Sequence, residues 1–275
     1  MAYVNPLRVE LGQRVRLFRE RARVLQSAVD ADPELEWYEG KTSKVETGTR
    51  TVGAAEVRRL AVLFKLSDNE MADLLALAKG ARKRTRVPHV ADFARNYVLL
   101  EQEATQIDYH DEVLIPAVLQ TEGYARDLLA RTGVADLDER IDERLTRGRL
   151  LAEPGAPVLR AVLGEAALHR LPVDHAVAAE QLRHLDSMGQ LPNVHLRVLP
   201  FAAGLHELVG TGFTILRLAT PAITRVYLEG ATAATYLHEP AETDVYVSWF
   251  ERLWAIAADE DSSATILRRR ILQVG

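Results

Sequence analysis

The sequence predicts a multidomain chain: an N-terminal all-α domain over residues 1–82, then an α+β domain over 83–275 in which helices cover a small sheet. Three observations carry this. Apolar residues recur at three- and four-residue spacing through the first domain, whereas several short runs after residue 157 are strand-like. The stretch KGARKRTRVP at 79–88 marks a boundary, because a basic run is solvated and Pro88 stops a helix. Charge divides the same way. Residues 1–90 carry 17 Lys+Arg and 12 Asp+Glu, a balance of +5, and the remainder carries 17 and 27, a balance of -10.

The elements follow in order. Leu7, Leu11, Val15 and Phe18 form one stripe of a basic helix over 7–22. Residues 24–40 (VLQSAVDADPELEWYEG) are less regular, and Asp32-Pro33 ends or restarts a helix there. A short helix at 41–47 ends where Gly48 can take the left-handed cap. Val57, Leu60, Ala61 and Phe64 form the stripe of a helix over 53–65, and Ser67-x-x-Glu70 is a capping box opening the next. Val90, Phe93, Tyr97, Leu100, Ala104 and Ile107 place one long helix after the boundary. Helices follow at 121–131, 137–151 and 174–188, the last with Asp174 at its start. Strands are read at 158–163, 194–199, 212–218, 223–229 and 232–237, and helices at 241–258 and 260–273 close the chain.

Composition narrows the chemistry. With no cysteine, disulfides, thiol nucleophiles and thiolate metal sites are excluded, which fits a reducing cytoplasm. Apolar runs are too short to span a bilayer, and the N-terminus lacks an apolar signal core. No phosphate loop, nucleophile elbow or zinc helix occurs, so no cofactor or metal is expected. A basic head on an acidic body places any nucleic-acid contact in the head.

The stretch KTSKVETGTR at 41–50, after a basic first helix and before another helix, resembles the third helix of the xenobiotic-response-element type helix-turn-helix domain. In that family the short helix enters the major groove. The resemblance implies DNA contacts from Lys41, Thr42, Ser43 and Lys44, with Val45 packed inward. Arg50 joins them, or pairs with Glu46 to brace the domain. Asp30, Asp32, Glu34, Glu36 and Glu39 crowd the preceding segment, which is longer than the family's usual second helix. Carboxylates there would oppose phosphates. The basic run at 82–86 reads as linker or as a further backbone contact.

Residues 97–272 resemble the C-terminal domain of unknown function that follows such heads in actinobacterial antitoxin-like transcriptional regulators. Six blocks carry the likeness, in order: LIPAVLQTEGYARDLL (114–129), VLGEAALHR (162–170), EQLRHL (180–185), PNVHLRVLPF (192–201), GLHELVGTGFTIL (204–216) and VYLEG (226–230).

Within this domain, strand alternation puts Arg225, Tyr227 and Glu229 on one face. His206 and Glu207 lie in a loop with Gly204, Gly210 and Gly212, and Glu165 follows an earlier strand. These residues suggest a concave polar site with His206, Tyr227 and Glu229 within mutual reach. Such a site would bind a ligand through Glu165, His206, Glu207, Tyr227 and Glu229, or move a proton through His206, Glu229, Tyr227 and Glu165. The plainer reading is a structural histidine beside a solvated strand face. Trp249, Phe250, Leu253 and Trp254 form a helical aromatic stripe, read as core or as a dimer face. The leading expectation is a cytoplasmic DNA-binding regulator, a homodimer on palindromic operators, sensing a small molecule or small protein partner. The alternatives are an enzyme or ligand-binding protein, for example of natural-product biosynthesis, whose head no longer binds DNA, and a pure protein-interaction partner.

Overall fold

A computed structural model describes residues 6–82, 88–219 and 223–275. The chain divides into two compact units, Met1–Val87 with Leu218–Ile223, and Pro88–Arg217 with Thr224–Gly275. The basic run at 82–86 falls, apart from Arg82, outside the described residues. No helix among the described residues is long and apolar enough to cross a membrane.

The first unit holds α1 (Pro6–Arg21), α2 (Gln26–Asp30), α3 (Lys41–Glu46), α4 (Ala54–Phe64) and α5 (Asp68–Ala81). The stripes read from the sequence are its core: Leu11, Val15, Val45, Val57 and Leu60 have no exposed surface. Gly48 takes φ +73° after α3, as its position required. Ser67 accepts from the Glu70 N–H while the Glu70 carboxylate accepts from the Ser67 N–H, completing the capping box of α5. α1 crosses α3 at Gly12, where a Cβ would collide with the carbonyl oxygens of Val45 and Glu46. That missing side chain lets α3 lie directly on α1.

The second unit contains α6 (Arg95–Glu103), β1 (Gln106–Asp111), α7 (Glu122–Ala130), α8 (Leu137–Arg149), β2 (Val158–Gly164), α9 (His175–Met188), β3 (Val194–Leu199), β4 (Phe213–Leu218), β5 (Ile223–Glu229), β6 (Ala234–Leu237), α10 (Pro240–Ile256) and α11 (Glu260–Val274). The strands form one six-stranded sheet in the order β3-β2-β1-β4-β5-β6. β1, β2 and β3 run parallel, and β4 is antiparallel to β1. The short β4–β5 connection makes those strands antiparallel, so β5 ends at the same edge as β1, β2 and β3.

One sequence expectation fails here. The long helix through Ile107 stops at Glu103, Ala104 turns to extended backbone (ψ 142°), and Ile107 belongs to β1. Strand β1 is central, flanked by β2 and β4, so alternation is masked. Its Asp108 looks solvent-facing in sequence but has no exposed surface, because Arg217 of β4 (2.8 Å) and Arg160 of β2 (3.5 Å) neutralise it.

The two sheet faces differ. On one, Val162, Phe213, Ile215 and Val226 pack with Phe250 and Leu253 of α10. Arg160 lies over Phe250 and Trp254, and Arg197 over Trp254, so the aromatic stripe is core. Tyr227, alternating with Val226, is on the opposite face and stacks on Tyr97 of α6 at 4.5 Å. α7 and α8 pack together through Ala125, Leu129 and Ile141. The fully buried Gln181 of α9 accepts from the Thr121 N–H and donates to the Leu119 carbonyl.

Candidate functional site

The DNA-contact residues read from the sequence separate into two groups. Ser43, Lys44 and Arg50 are exposed, beside Thr47 and Thr49, which the sequence reading did not single out. Lys44 extends over the exposed Tyr38 ring at 5.0 Å. Thr42 and Lys41 do not join them. Thr42 is completely buried and its hydroxyl bonds the Asp30 carboxylate, while Lys41 pairs with Glu56 at 2.7 Å over the Trp37 ring. Both face inward because the ten-residue connector after α2 folds back against them. The expected Glu46–Arg50 brace is also corrected. Glu46 is buried and takes both prongs of Arg19 (2.5 and 3.1 Å) and the Gln26 amide (2.7 Å).

The two aspartates of the acidic segment before α3 are scaffold. Asp30 accepts from the backbone N–H groups of Gly40 (2.7 Å) and Thr42 (2.8 Å), capping a helix whose N-cap residue, Gly40, has no side chain. Asp32 is buried, accepts from the Glu34 and Leu35 N–H groups and is gripped by Arg59 of α4, whose hydrogen bonds hold its carboxyl below the ordinary range. Trp37 is buried and donates to Glu56 of α4 at 2.8 Å. Burial alone would raise the Glu56 carboxyl, but Lys41, the Gly53 N–H and Trp37 outweigh it and hold it low. Glu34, Glu36 and Glu39 remain exposed. A helix-turn-helix motif ordinarily uses a turn of a few residues; here ten residues are pinned to α4 at Asp32 and Trp37, and α3 is placed by Asp30.

In the second unit, His206, Tyr227 and Glu229 do not converge. The Tyr227 hydroxyl donates to Glu229 at 2.8 Å on the α6 face. His206 instead meets His110, whose ring lies against Phe213 on the α10 face. Alternation along β5 told which of its residues share a face but not over which face the 201–212 loop would hang. His206 Nδ1 accepts from the Leu208 N–H, so Nε2 carries the proton and donates to Glu112 at 3.1 Å. Glu112 also accepts from the Gly210 N–H, so this pair staples the loop to the end of β1. Glu165 accepts from the Phe201 N–H at 2.8 Å, tying the ends of β2 and β3, and Glu207 pairs with Arg252 of α10. The proposed proton-transfer trio is thus divided between two faces, and its members serve local structure.

Residues missed in the sequence matter more. His110 has no exposed surface; Nδ1 bonds the Val162 carbonyl at 3.0 Å, and Nε2 has no hydrogen-bond partner among the described residues. Burial lowers its pKa, so it stays neutral. On the opposite face Tyr97 stacks on Tyr227, which meets Tyr236 at a tilt, the ring centroids 5.1 Å apart. α8 carries Arg140, Arg144 and Arg147 at helical spacing, the one signal the sequence offered. Arg147 is buried and bidentate to Glu101 of α6 (2.6 and 2.8 Å). A cleft of about 170 Å³ opens beside this pair, lined by Ile107, Val118, Leu151 and Pro157. Among the described residues no cluster of His, Asp and Glu has the arrangement of a metal site.

Comparison with known proteins agrees with this division. No curated protein and no solved structure gives a significant match. Residues 10–74 match a helix-turn-helix domain, and residues 94–269 match the domain of unknown function DUF5753. Because that second match spans more than half of the chain, from α6 into α11, the chain belongs to the DUF5753 family.

Proposed function

We propose that the chain is a DNA-binding transcriptional regulator, a cytoplasmic homodimer whose second unit receives a small molecule or a protein partner. One observation carries the reading. The exposed side of α3 and the turn after it offers hydroxyls and cations alone, Ser43, Lys44, Thr47, Thr49 and Arg50, while Asp30, Glu46 and Glu56 are turned to internal partners and Glu39, before the helix, stays exposed. Such a surface suits phosphate oxygens, which accept from cations and hydroxyls alike. The +5 balance of residues 1–90 supports it. A homodimer would present two such helices to the half-sites of a palindrome.

The test is a salt titration of full-length protein against genomic fragments flanking its gene. Lys44→Ala and Arg50→Ala should each weaken binding across sequences and flatten the salt slope by about one unit. Absence of binding tighter than ~10⁻⁴ M at low salt would remove the regulator reading, since ordinary non-specific binders exceed that level.

A further inference from the structure

Two adjacent aromatic residues before α3 point opposite ways. Trp37 is 7% exposed and anchored to Glu56 of α4, whereas Tyr38 is 49% exposed. The backbone under Tyr38 is fixed from the other side as well. Its carbonyl accepts from the Lys41 N–H at 3.0 Å, and the Gly40 N–H donates to Asp30 at 2.7 Å. Tyr38 is therefore presented outward on a pinned stretch of chain. A ring with two rotatable bonds on such a backbone offers a large contact surface at little cost in entropy.

Each of the two rings carries a lysine of α3. The Lys41 ammonium lies 4.5 Å from the Trp37 centroid, and Glu56 supplies its anion at 2.7 Å. The Lys44 ammonium lies 5.0 Å from the Tyr38 centroid, within cation–π range. Lys44 makes no ion pair among the described residues, although Glu36 and Glu39 of the same connector are exposed. The first pair is closed by a carboxylate and the second is open to solvent. A neutral ring seats the cation without cancelling its charge, so its remaining N–H groups can still donate to a phosphate. The Tyr38 hydroxyl likewise has no hydrogen-bond partner among the described residues.

We propose that Tyr38 is a contact to the DNA backbone and the positioning residue for Lys44. Its ring holds the ammonium on the outer side of α3, and its hydroxyl donates to a phosphate oxygen. The long connector between α2 and α3 in this way adds an aromatic contact beside the helix that meets DNA. The inference rests on the DNA-binding reading of the first unit.

The experiment measures binding of the full chain, across a range of salt, to a duplex from the region flanking its gene and to an unrelated duplex. Tyr38→Phe keeps the ring under Lys44 and deletes the donor. It should weaken binding to both duplexes by about two- to tenfold, the range of one hydrogen bond. The salt slope should not change, because a neutral hydroxyl releases no counterion. Tyr38→Ala should weaken binding by roughly a further two- to fivefold, the range of an exposed cation–π contact. It should also flatten the salt slope by up to about one unit as Lys44 loses its seat. Combined with Lys44→Ala, it should cost less than the product of the two single losses, since the ring acts through that lysine. The urea midpoint of the free protein should stay unchanged, because Tyr38 is exposed. If Tyr38→Ala does not fold, Tyr38→Leu, which keeps apolar bulk without a π face, takes its place. Unmodified affinity in Tyr38→Phe and Tyr38→Ala, or a loss that multiplies in full with that of Lys44→Ala, would overturn the proposal and leave the DNA reading standing. Failure of the unmodified chain to bind either duplex would remove the DNA reading and this inference with it.

Discussion

Asp30→Ala tests the placement of α3 most directly. The substitution removes the acceptor for two backbone N–H groups, at Gly40 and Thr42, and for the Thr42 hydroxyl. Loss of a helix cap costs about 1 kcal/mol. Thr42 has no exposed surface, so water cannot replace the carboxylate, and orphaned buried donors add about 1–3 kcal/mol. The remaining acceptor near its hydroxyl, the Gln26 carbonyl at 3.4 Å, is too distant to recover much. The sum, about 2–4 kcal/mol, is a large share of the ~5–15 kcal/mol that holds an ordinary domain folded. Urea denaturation should show it as a lower midpoint with unchanged slope, and hydrogen exchange should show lost protection at the α3 amides. DNA affinity should fall as well. Asp30→Asn, which keeps one acceptor oxygen, should lose less. A destabilisation below about 0.5 kcal/mol, the range of neutral surface changes, would refute the argument that Asp30 positions the helix. An increase in DNA affinity at unchanged stability would show Asp30 acting instead as an electrostatic opponent of the phosphates.

Gly12→Ala should separate α1 from α3 and destabilise the first unit by about 1–3 kcal/mol, as overpacking does; an unchanged denaturation midpoint would contradict the contact with the Val45 and Glu46 carbonyls. Glu36 and Glu39 are exposed, unlike Asp30 and Asp32, so changing both to Gln should raise non-specific DNA affinity at low salt without altering stability. No change in affinity would mean that they face away from the DNA. Stability should fall as pH drops, in two windows. His110 is held neutral by burial, so the unfolded chain gains a proton first and stability declines below about pH 6.5. Asp32 and Glu56 are depressed in the folded state, so their contribution is present above about pH 4 and is lost as pH falls further. His110→Phe should lessen the upper slope, which His184, also lowered by burial, shares, and Asp32→Asn should lessen the lower one, which Glu56 and Glu70 share; slopes unchanged by either substitution would refute the assignments.

The sequence by itself determined the elements whose cause is local. Stripes at helical spacing set α1 and α4, Ser67 and Glu70 set the start of α5, and Asp174 caps α9 by accepting from the Ala176 N–H. Runs of β-branched residues between turns located β2 to β5 within a residue or so at each end. Tertiary structure decided what depends on distant partners. β1 goes unread beyond Ile107, where the helical stripe ends, since its buried Asp108 looks solvated and is neutralised by arginines 52 and 109 positions away, which no window of sequence reveals. The acids before α3 read as repulsive surface, yet Asp30 and Asp32 are drawn inward by Thr42 and Arg59. His206 and Tyr227 read as neighbours, because pleating fixes which residues of one strand share a face but not where a loop comes to rest. Arg144 looked like any other arginine of a charged helix. Only the packed unit shows that its neighbours on α8 pair with carboxylates whereas it bonds the Gln120 amide oxygen, because pairing is set by which side chains the fold brings within reach.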